Sequence, residues 1–550
     1  MISFCFRTFK IERAFDFVDR RQIYFLIILA MGILIFFFNL GGRDLWEPDE
    51  TRYAVIAREM AQTGEWILPH LNGAIYAEKP PFFFWLINLS TFFWGANNEL
   101  TNRFPSALAG LMVVLITFIF GSKLFNPQVG FLASVILSTC FFFTQISRWM
   151  MLDSLVTLFF VLTLYYFYLG YEEEGARRKH YLLAGLFMGL GVLTKGPLAF
   201  LTIPIFLIFA FFQKNVKKFW CQDLLWGCLL SVMVVLIWWI PACWIGGKEY
   251  VHWILFKQIS GTYVEGGVHF HPKPFLFYFI RFPAVFFPWI VFLPTALILG
   301  LRKGKDKGKE FLFLSIWFIF IFIFFTLAKG KKENYLLPLF PSAALLVGSF
   351  WNPGFHSSEK NKGFVIGICL LALLFFIGFL AFLLDMPQKI YPAIREYQVL
   401  SLSAALYLFF GSFLSLLLFL KKKRWASFIS LAVALTLFHL HISFALPQKL
   451  NPQRSMKAFS ESMLERMETG DDLKTCCLQS NGLIYYTKRP FIEEIESHER
   501  MREILRSPQK VFIVLHKEVF NRLKKDLNLE INPIDQVKIG RWNYMLISNH

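Results

Sequence analysis

Long apolar stretches recur along the chain, each close to the roughly 20 residues a helix needs to cross the hydrocarbon core of a bilayer. They fall near 23–40, 104–120, 127–147, 151–170, 181–194, 196–212, 223–245, 275–300, 311–328, 335–351, 364–384, 399–420 and 425–446. One further run, Pro81 to Trp94, is short, opens on a Pro-Pro pair and is soon followed by another full apolar segment. Such a run either spans or lies along the interface.

Parity separates the two readings, because one extra span would flip every later loop. With 81–94 interfacial or re-entrant, the densest basic clusters all fall on the cytoplasmic side, as the positive-inside rule requires. These are Arg177-Arg178-Lys179, the group Lys214, Lys217 and Lys218, the run from Arg302 to Lys309, and Lys421 to Arg424. The expected architecture is an α-helical polytopic membrane protein of about 13 transmembrane helices, with the N-terminus inside and the C-terminus outside. Arg7, Lys10, Arg13, Arg20 and Arg21 precede the first apolar run, which is long and lacks a small-x-small cleavage site, so it reads as an uncleaved helix. The membrane domain is assigned to 1–446, with a first outer loop over 41–103. From Pro447 the sequence turns polar, with a β-like run at Lys510 to Leu515 and amphipathic helical runs at Glu499 to Leu505 and Glu518 to Leu527. A small α/β domain on the outer face is expected over 447–550.

Composition agrees with this reading. Of 550 residues 56% are hydrophobic, 17% are charged and 67 are Phe. A soluble domain has about 25% charged residues, so a soluble enzyme is excluded. A net charge of +18 would suggest nucleic acid on a soluble protein. Here it holds cytoplasmic loops in place, and no nucleic-acid partner is expected. The eight cysteines form no CxxC, most lie in or beside apolar segments, and free thiols are expected.

On this topology the outer face gathers the unusual polar residues. The first outer loop contains Asp49, Glu50 and Arg52, then Glu78 and Lys79; later turns add Arg148, Asp153, Lys195, His252, Lys257, His269, His271, Lys273 and the run Lys329-Gly-Lys-Lys-Glu-Asn-Tyr335. Each has a plain structural alternative. Asp49 suits the start of a helix, Asp153 with Ser154 suits an N-cap, Lys79 and Lys195 suit snorkelling, and Tyr335 suits an interfacial aromatic belt. His269-x-His271 is a weak candidate for a divalent metal, since no third ligand is evident. No cofactor is required. Convergence on one face raises the odds of shared chemistry. If the substrate were a lipid phosphate, lysines there would neutralise the charge left when a sugar departs, and a carboxylate would deprotonate or orient the attacking group.

The motifs Trp46-Glu-Pro-Asp-Glu-Thr-Arg-Tyr-Ala54, Arg58-Glu-Met60, Pro69-His-Leu-Asn-Gly73, Glu78-Lys-Pro-Pro81, Arg103-Phe-Pro-Ser-Ala-Leu108, Met151-Leu-Asp153, Leu193-Thr-Lys-Gly196 and Tyr335-Leu-Leu-Pro338 resemble, in order, the 4-amino-4-deoxy-L-arabinose lipid A transferases. These stand with the protein O-mannosyltransferases in the GT-C class. The resemblance is good over about 20–350. It implies a GT-C fold and an inverting transfer from an undecaprenyl-phosphate-linked sugar to a lipid A-like, glycan or protein acceptor, on the periplasmic side of a bacterial inner membrane. It also implies Asp49 as the acid at the catalytic centre, with Glu78 and Asp153 lining the same cavity. Lys79 and Tyr335 would hold the donor phosphate with Lys195 nearby, and Arg52 and Glu50 are grouped with them. The family's phosphate-binding arginine in the long outer loop has no counterpart between Gly246 and Pro274. Lys257 or Lys273 would substitute as a point charge, and Arg281 lies just beyond. The competing readings are a transporter or flippase of lipid-linked sugars, disfavoured by the absence of visible repeats and of midplane charges, and a scaffold with a sensor tail.

Overall fold

The structure is a computed structural model describing residues 20–254, 272–306, 308–352, 362–390, 392–468, 470–478, 480–527 and 533–549. It begins with α1 (Arg20–Phe37), which leads into a long loop carrying α2 (Asp49–Thr63), a small hairpin of β1 (His70–Leu71) and β2 (Ala74–Ile75), and α3 (Phe82–Trp94). Next come α4 (Glu99–Leu124), α5 (Pro127–Ser138), α6 (Phe141–Arg148), α7 (Leu152–Glu172), α8 (Arg177–Lys195), α9 (Thr202–Phe212), α10 (Val216–Phe219) and α11 (Gln222–His252). The second half holds α12 (Phe277–Val285), α13 (Leu293–Asp306), α14 (Lys309–Leu327), α15 (Phe340–Trp351), α16 (Lys362–Leu383), α17 (Met386–Ile390), α18 (Gln398–Leu420) and α19 (Arg424–Arg454).

Local chemistry sets many of the boundaries. Asn98 caps α4 in a reciprocal capping box with Thr101, and Asn126 caps α5 just before Pro127. Gly64 and Gly95, at φ 76° and 70°, end α2 and α3 in the left-handed region that favours glycine.

Every one of the thirteen apolar segments is helical. Among the described residues, eight of these helices are long and apolar enough to cross a membrane, or ten if the bent pairs α5–α6 (67°) and α12–α13 (111°) each make one span. The other three segments, in α8, in 197–212 and in 333–351, are shorter or more polar, so length and composition support eight to ten crossings and leave the count of 13 unconfirmed. Helix α3 has 13 residues and ends on Phe92, Phe93 and Trp94, which are 79, 75 and 57% exposed; it is too short to span and has the aromatic end of an interfacial helix.

Loops assigned to opposite faces separate in space. At one end of the bundle Lys123 meets Glu173 (2.6 Å), Lys309 meets Glu172 (2.5 Å) and Lys218 approaches Glu174 (3.8 Å). The loop carrying α2, the 329–335 turn and the C-terminal region gather at the other. Helix α19 runs past Leu446 to Arg454 before α20 (Lys457–Arg466).

The C-terminal region then forms β3 (Asp472–Cys476), α21 (Asn481–Thr487), β4 (Glu493–Ile495), α22 (His498–Leu505), β5 (Val511–His516), α23 (Lys517–Leu527), β6 (Asp535–Ile539) and β7 (Trp542–Ser548). The sheet order is β4-β3-β5-β7-β6, with β3 parallel to β4 and β5, and β7 antiparallel to β5 and β6. Alternation along β5 divides its side chains between the two faces. Phe512 and Val514 join the core continuous with the helices, while Ile513 and Leu515 pack with Met501, Ile504 and Phe520 on the other side. The sheet domain is thus docked on the loop carrying α2. Arg58 of α2 donates to the carbonyls of Ile484, Tyr485 and Arg489, and Glu47 accepts from the Ser480 hydroxyl and the Gly482 amide, each at 2.8 Å.

Candidate functional site

Asp49 and Glu50 open α2 side by side, and on a helix adjacent residues diverge by about 100°. Their carboxylates therefore serve different neighbourhoods. Asp49 shares a face with Arg52, three residues on, and pairs with its guanidinium. Arg52 also approaches Glu78 (3.6 Å) and lies near the rings of Tyr53 and Tyr76, and the Tyr76 hydroxyl donates to Glu78 at 3.1 Å.

Glu50 turns inward. It is 2% exposed and accepts from Arg43 (2.7 Å to each oxygen), from Arg103 (2.8 and 3.0 Å) and from the amides of Trp46 and Met150 (3.1 Å each). Arg103, itself 1% exposed, also donates to the carbonyls of Leu40, Arg43 and Asp44. Burial alone would raise the Glu50 pKa, but Arg103 and Arg43 outweigh it and hold the carboxyl down at about 2. This ion knot fastens the first turn of α2 to α4 and to the start of α7, and so fixes where Asp49 stands.

Asp153 is the second residue of α7. The cap position belongs to Met151, so the N-cap alternative does not hold. The Asp153 side chain is 5% exposed and is shared between the Lys195 ammonium at the end of α8 and the Asn334 amide, 2.9 Å away. Lys195 also sits 5.0 Å from the centroid of the Tyr335 ring.

Lys79 completes the group. Its ammonium donates to the Glu78 carbonyl (3.0 Å), and burial, then the nearby charge of Lys195, push its pKa down to about 8 against the pull of Glu78; Arg52 and Lys332 add to the repulsion. Lys79, Lys195 and Tyr335 line one end of a cavity of about 350 Å³. Its other walls are apolar, with Val232, Val235, Leu236, Trp238 and Trp239 of α11 opposite Leu198 and Phe200. Helix α11 packs one side along α8 and only 17% of its apolar window is buried in the protein, which leaves its remaining faces for lipid. A cationic end on a greasy slot suits a phosphate attached to a hydrocarbon chain.

The structure therefore brings Asp49, Arg52, Glu78, Lys79, Asp153, Lys195 and Tyr335 into one neighbourhood. His269, His271 and Lys257 lie outside the described residues, and among the described residues no group of three His, Cys, Asp or Glu side chains is placed to hold a metal. Arg281 reaches Glu333 at 3.5 Å, which puts an arginine beside the Asn334-Tyr335 turn although it follows the long loop in sequence. Two participants had no assigned role from sequence, Asn334 and Lys332. Both stand in the 329–335 turn beside Tyr335, the one available signal.

The fold and the site define a multi-pass membrane glycosyltransferase of the GT-C type. The sequence pattern of the dolichyl-phosphate-mannose-protein mannosyltransferase family matches residues 22–257. The undecaprenyl phosphate-alpha-4-amino-4-deoxy-L-arabinose arabinosyl transferase of Edwardsiella ictaluri is 30% identical, over 80% of each chain. The protein of that name from Aeromonas hydrophila is 29% identical, over 85% of this chain and 86% of its own. The crystal structure of ArnT from Cupriavidus metallidurans bound to undecaprenyl phosphate superposes with a TM-score of 0.81 at 18% identity, covering 96% of this chain and 98% of that one, which shows the shared fold. The chain belongs to the aminoarabinose arabinosyl transferase family of membrane glycosyltransferases.

Proposed function

We propose that this protein transfers a sugar, with inversion at the anomeric carbon, from undecaprenyl phosphate to a lipid A-like, glycan or protein acceptor at the periplasmic face of the inner membrane. The observation that carries this reading is the slot ending in Lys79, Lys195 and Tyr335 beside Asp49. The donor's prenyl chain lies along the apolar wall of α11, and its phosphate takes the place at the lysines. The acceptor oxygen attacks the anomeric carbon from the face opposite the phosphate. The carbon–oxygen bond to the phosphate breaks with its electron pair on the phosphate oxygen, and the lysines stabilise that charge. With a hydroxyl acceptor Asp49 takes the proton; with a phosphate acceptor, already an anion, Asp49 orients the attack. Asp153 acts through Lys195, fixing its ammonium at the slot's end. Arg52 and Glu78 hold Asp49 and Lys79 in register. Residues 1–446 form the transferase domain in this reading, and 447–550 a periplasmic domain that braces the catalytic loop.

Mass spectrometry of envelope lipids and glycans with and without the gene tests the reading. Loss of a sugar-bearing species names both sugar and acceptor. An unchanged envelope, under conditions where the protein is made, counts against it.

A further inference from the structure

A second cavity, of about 300 Å³, opens on the same face and shares no lining residue with the first. Arg43 and Arg148 reach it, and its walls mix apolar side chains, among them Phe141, Phe438, Ile442 and Leu446 from α6 and α19, with the polar Asn39, Thr144, Gln145, His439 and Ser443. The charges around it do not balance. Arg148 donates to the carbonyls of Ile35 (2.5 Å) and Phe38 (2.7 Å), and among the described residues no carboxylate pairs with it. Arg43 is stacked against Trp46 (4.4 Å) and Trp149 (4.9 Å), and gives its two bonds to Glu50, which Arg103 also claims. Arg43 and Arg103 thus share the one Glu50 carboxylate and, among the described residues, Arg148 pairs with none, a surplus of positive charge that costs free energy in a low-dielectric setting unless an anion joins it.

The shape of the cavity says which anion. Arg43 and Arg148 each spend two of their five N–H groups on the protein, and the guanidinium fork fits phosphate oxygens. Phe141, Phe438, Ile442 and Leu446 offer an acyl chain apolar surface beside the two arginines, and α19 buries only 22% of its apolar window, so such a chain reaches the cavity from the bilayer. We propose that this second cavity binds the phosphate headgroup of an anionic membrane lipid between Arg43 and Arg148, separately from the donor slot.

Native mass spectrometry of the purified full chain in detergent tests this, with phosphatidylglycerol as probe and phosphatidylethanolamine and inorganic phosphate as comparisons. One tightly held phosphatidylglycerol is expected, with about tenfold or greater weakening in Arg148→Gln, the loss of a charge-assisted bond. Ser443→Trp, which fills the cavity and leaves both arginines in place, should weaken it comparably. A loss in either folded variant supports the site. Equal binding in the wild type and both variants overturns it, as does equal retention of phosphatidylethanolamine or displacement by inorganic phosphate at matching concentration.

Discussion

Lys195 donates to the Asp153 carboxylate while lying 5.0 Å from the centroid of the Tyr335 ring, so one ammonium links the ends of α7 and α8 and the turn before α15. The three residues are 42 and 140 positions apart along the chain. The side chains that face the slot are held by one another, which orders the cation before a donor arrives. Lys195→Met should therefore raise the donor KM and also loosen Asp153. Asp153→Asn keeps the hydrogen-bonding shape but removes the charge that anchors Lys195. A donor titration of the two variants separates the roles: Asp153→Asn is expected to move KM less than Lys195→Met does.

Glu50 predicts a different phenotype from its neighbour. Removing one partner of a buried ion knot leaves uncompensated charge, at a cost of about 3–5 kcal/mol. Glu50→Gln strands Arg43 and Arg103 together, so its defect should appear as a lowered melting temperature and poor recovery in detergent. A folded, thermally normal Glu50→Gln protein with a selective loss of transfer would assign Glu50 to the chemistry instead.

The Lys79 ammonium supplies a pH signature. Its pKa is pushed down to about 8 by burial and by Lys195, so the group is charged below about pH 8 and neutral above. Donor capture, which needs the charge, is present on the acid side and fades as pH rises through that value. The kcat/KM profile reports the free enzyme, so its alkaline limb should fall near pH 8. In Lys79→Arg, whose guanidinium stays protonated, that limb should move up by more than one pH unit. An identical alkaline limb in the two proteins would remove Lys79 from phosphate binding.

The C-terminal domain grips α2 directly through Arg58, whose guanidinium serves three carbonyls of the 484–489 segment. Arg58→Ala removes a charged donor shared by those carbonyls, at about 1–3 kcal/mol. Limited proteolysis should then cut between α19 and α20 faster than in the wild type, with transfer reduced because the loop bearing Asp49 loses its brace.

Much of this was legible in the sequence. The thirteen apolar segments are all helical, because runs of Leu, Ile and Phe leave few other ways to satisfy the backbone in lipid. The parity argument places Asp49, Glu78, Lys79, Asp153, Lys195 and Tyr335 on one face, and the structure brings their side chains into one neighbourhood. The bends inside 127–148 and 277–302 were not legible, because hydropathy is blind to direction and both halves of a bent pair are apolar. The ion pairs of Glu50 were not legible for a geometric reason: it sits next to Asp49 in the motif but about 100° around the helix from it, and Arg43 and Arg103 reveal their claim on it only in three dimensions. Asn334 was overlooked because an amide in a lysine-rich turn has no pattern of its own until Asp153 is seen beside it.

The most direct test of the account is sugar transfer by purified Asp49→Asn and Lys79→Ala proteins, given an undecaprenyl-phosphate-linked sugar and acceptor lipid. The account predicts that Asp49→Asn lowers kcat by roughly a hundredfold or more and that Lys79→Ala loses donor saturation, both at wild-type melting temperature. Full activity in both variants would contradict it.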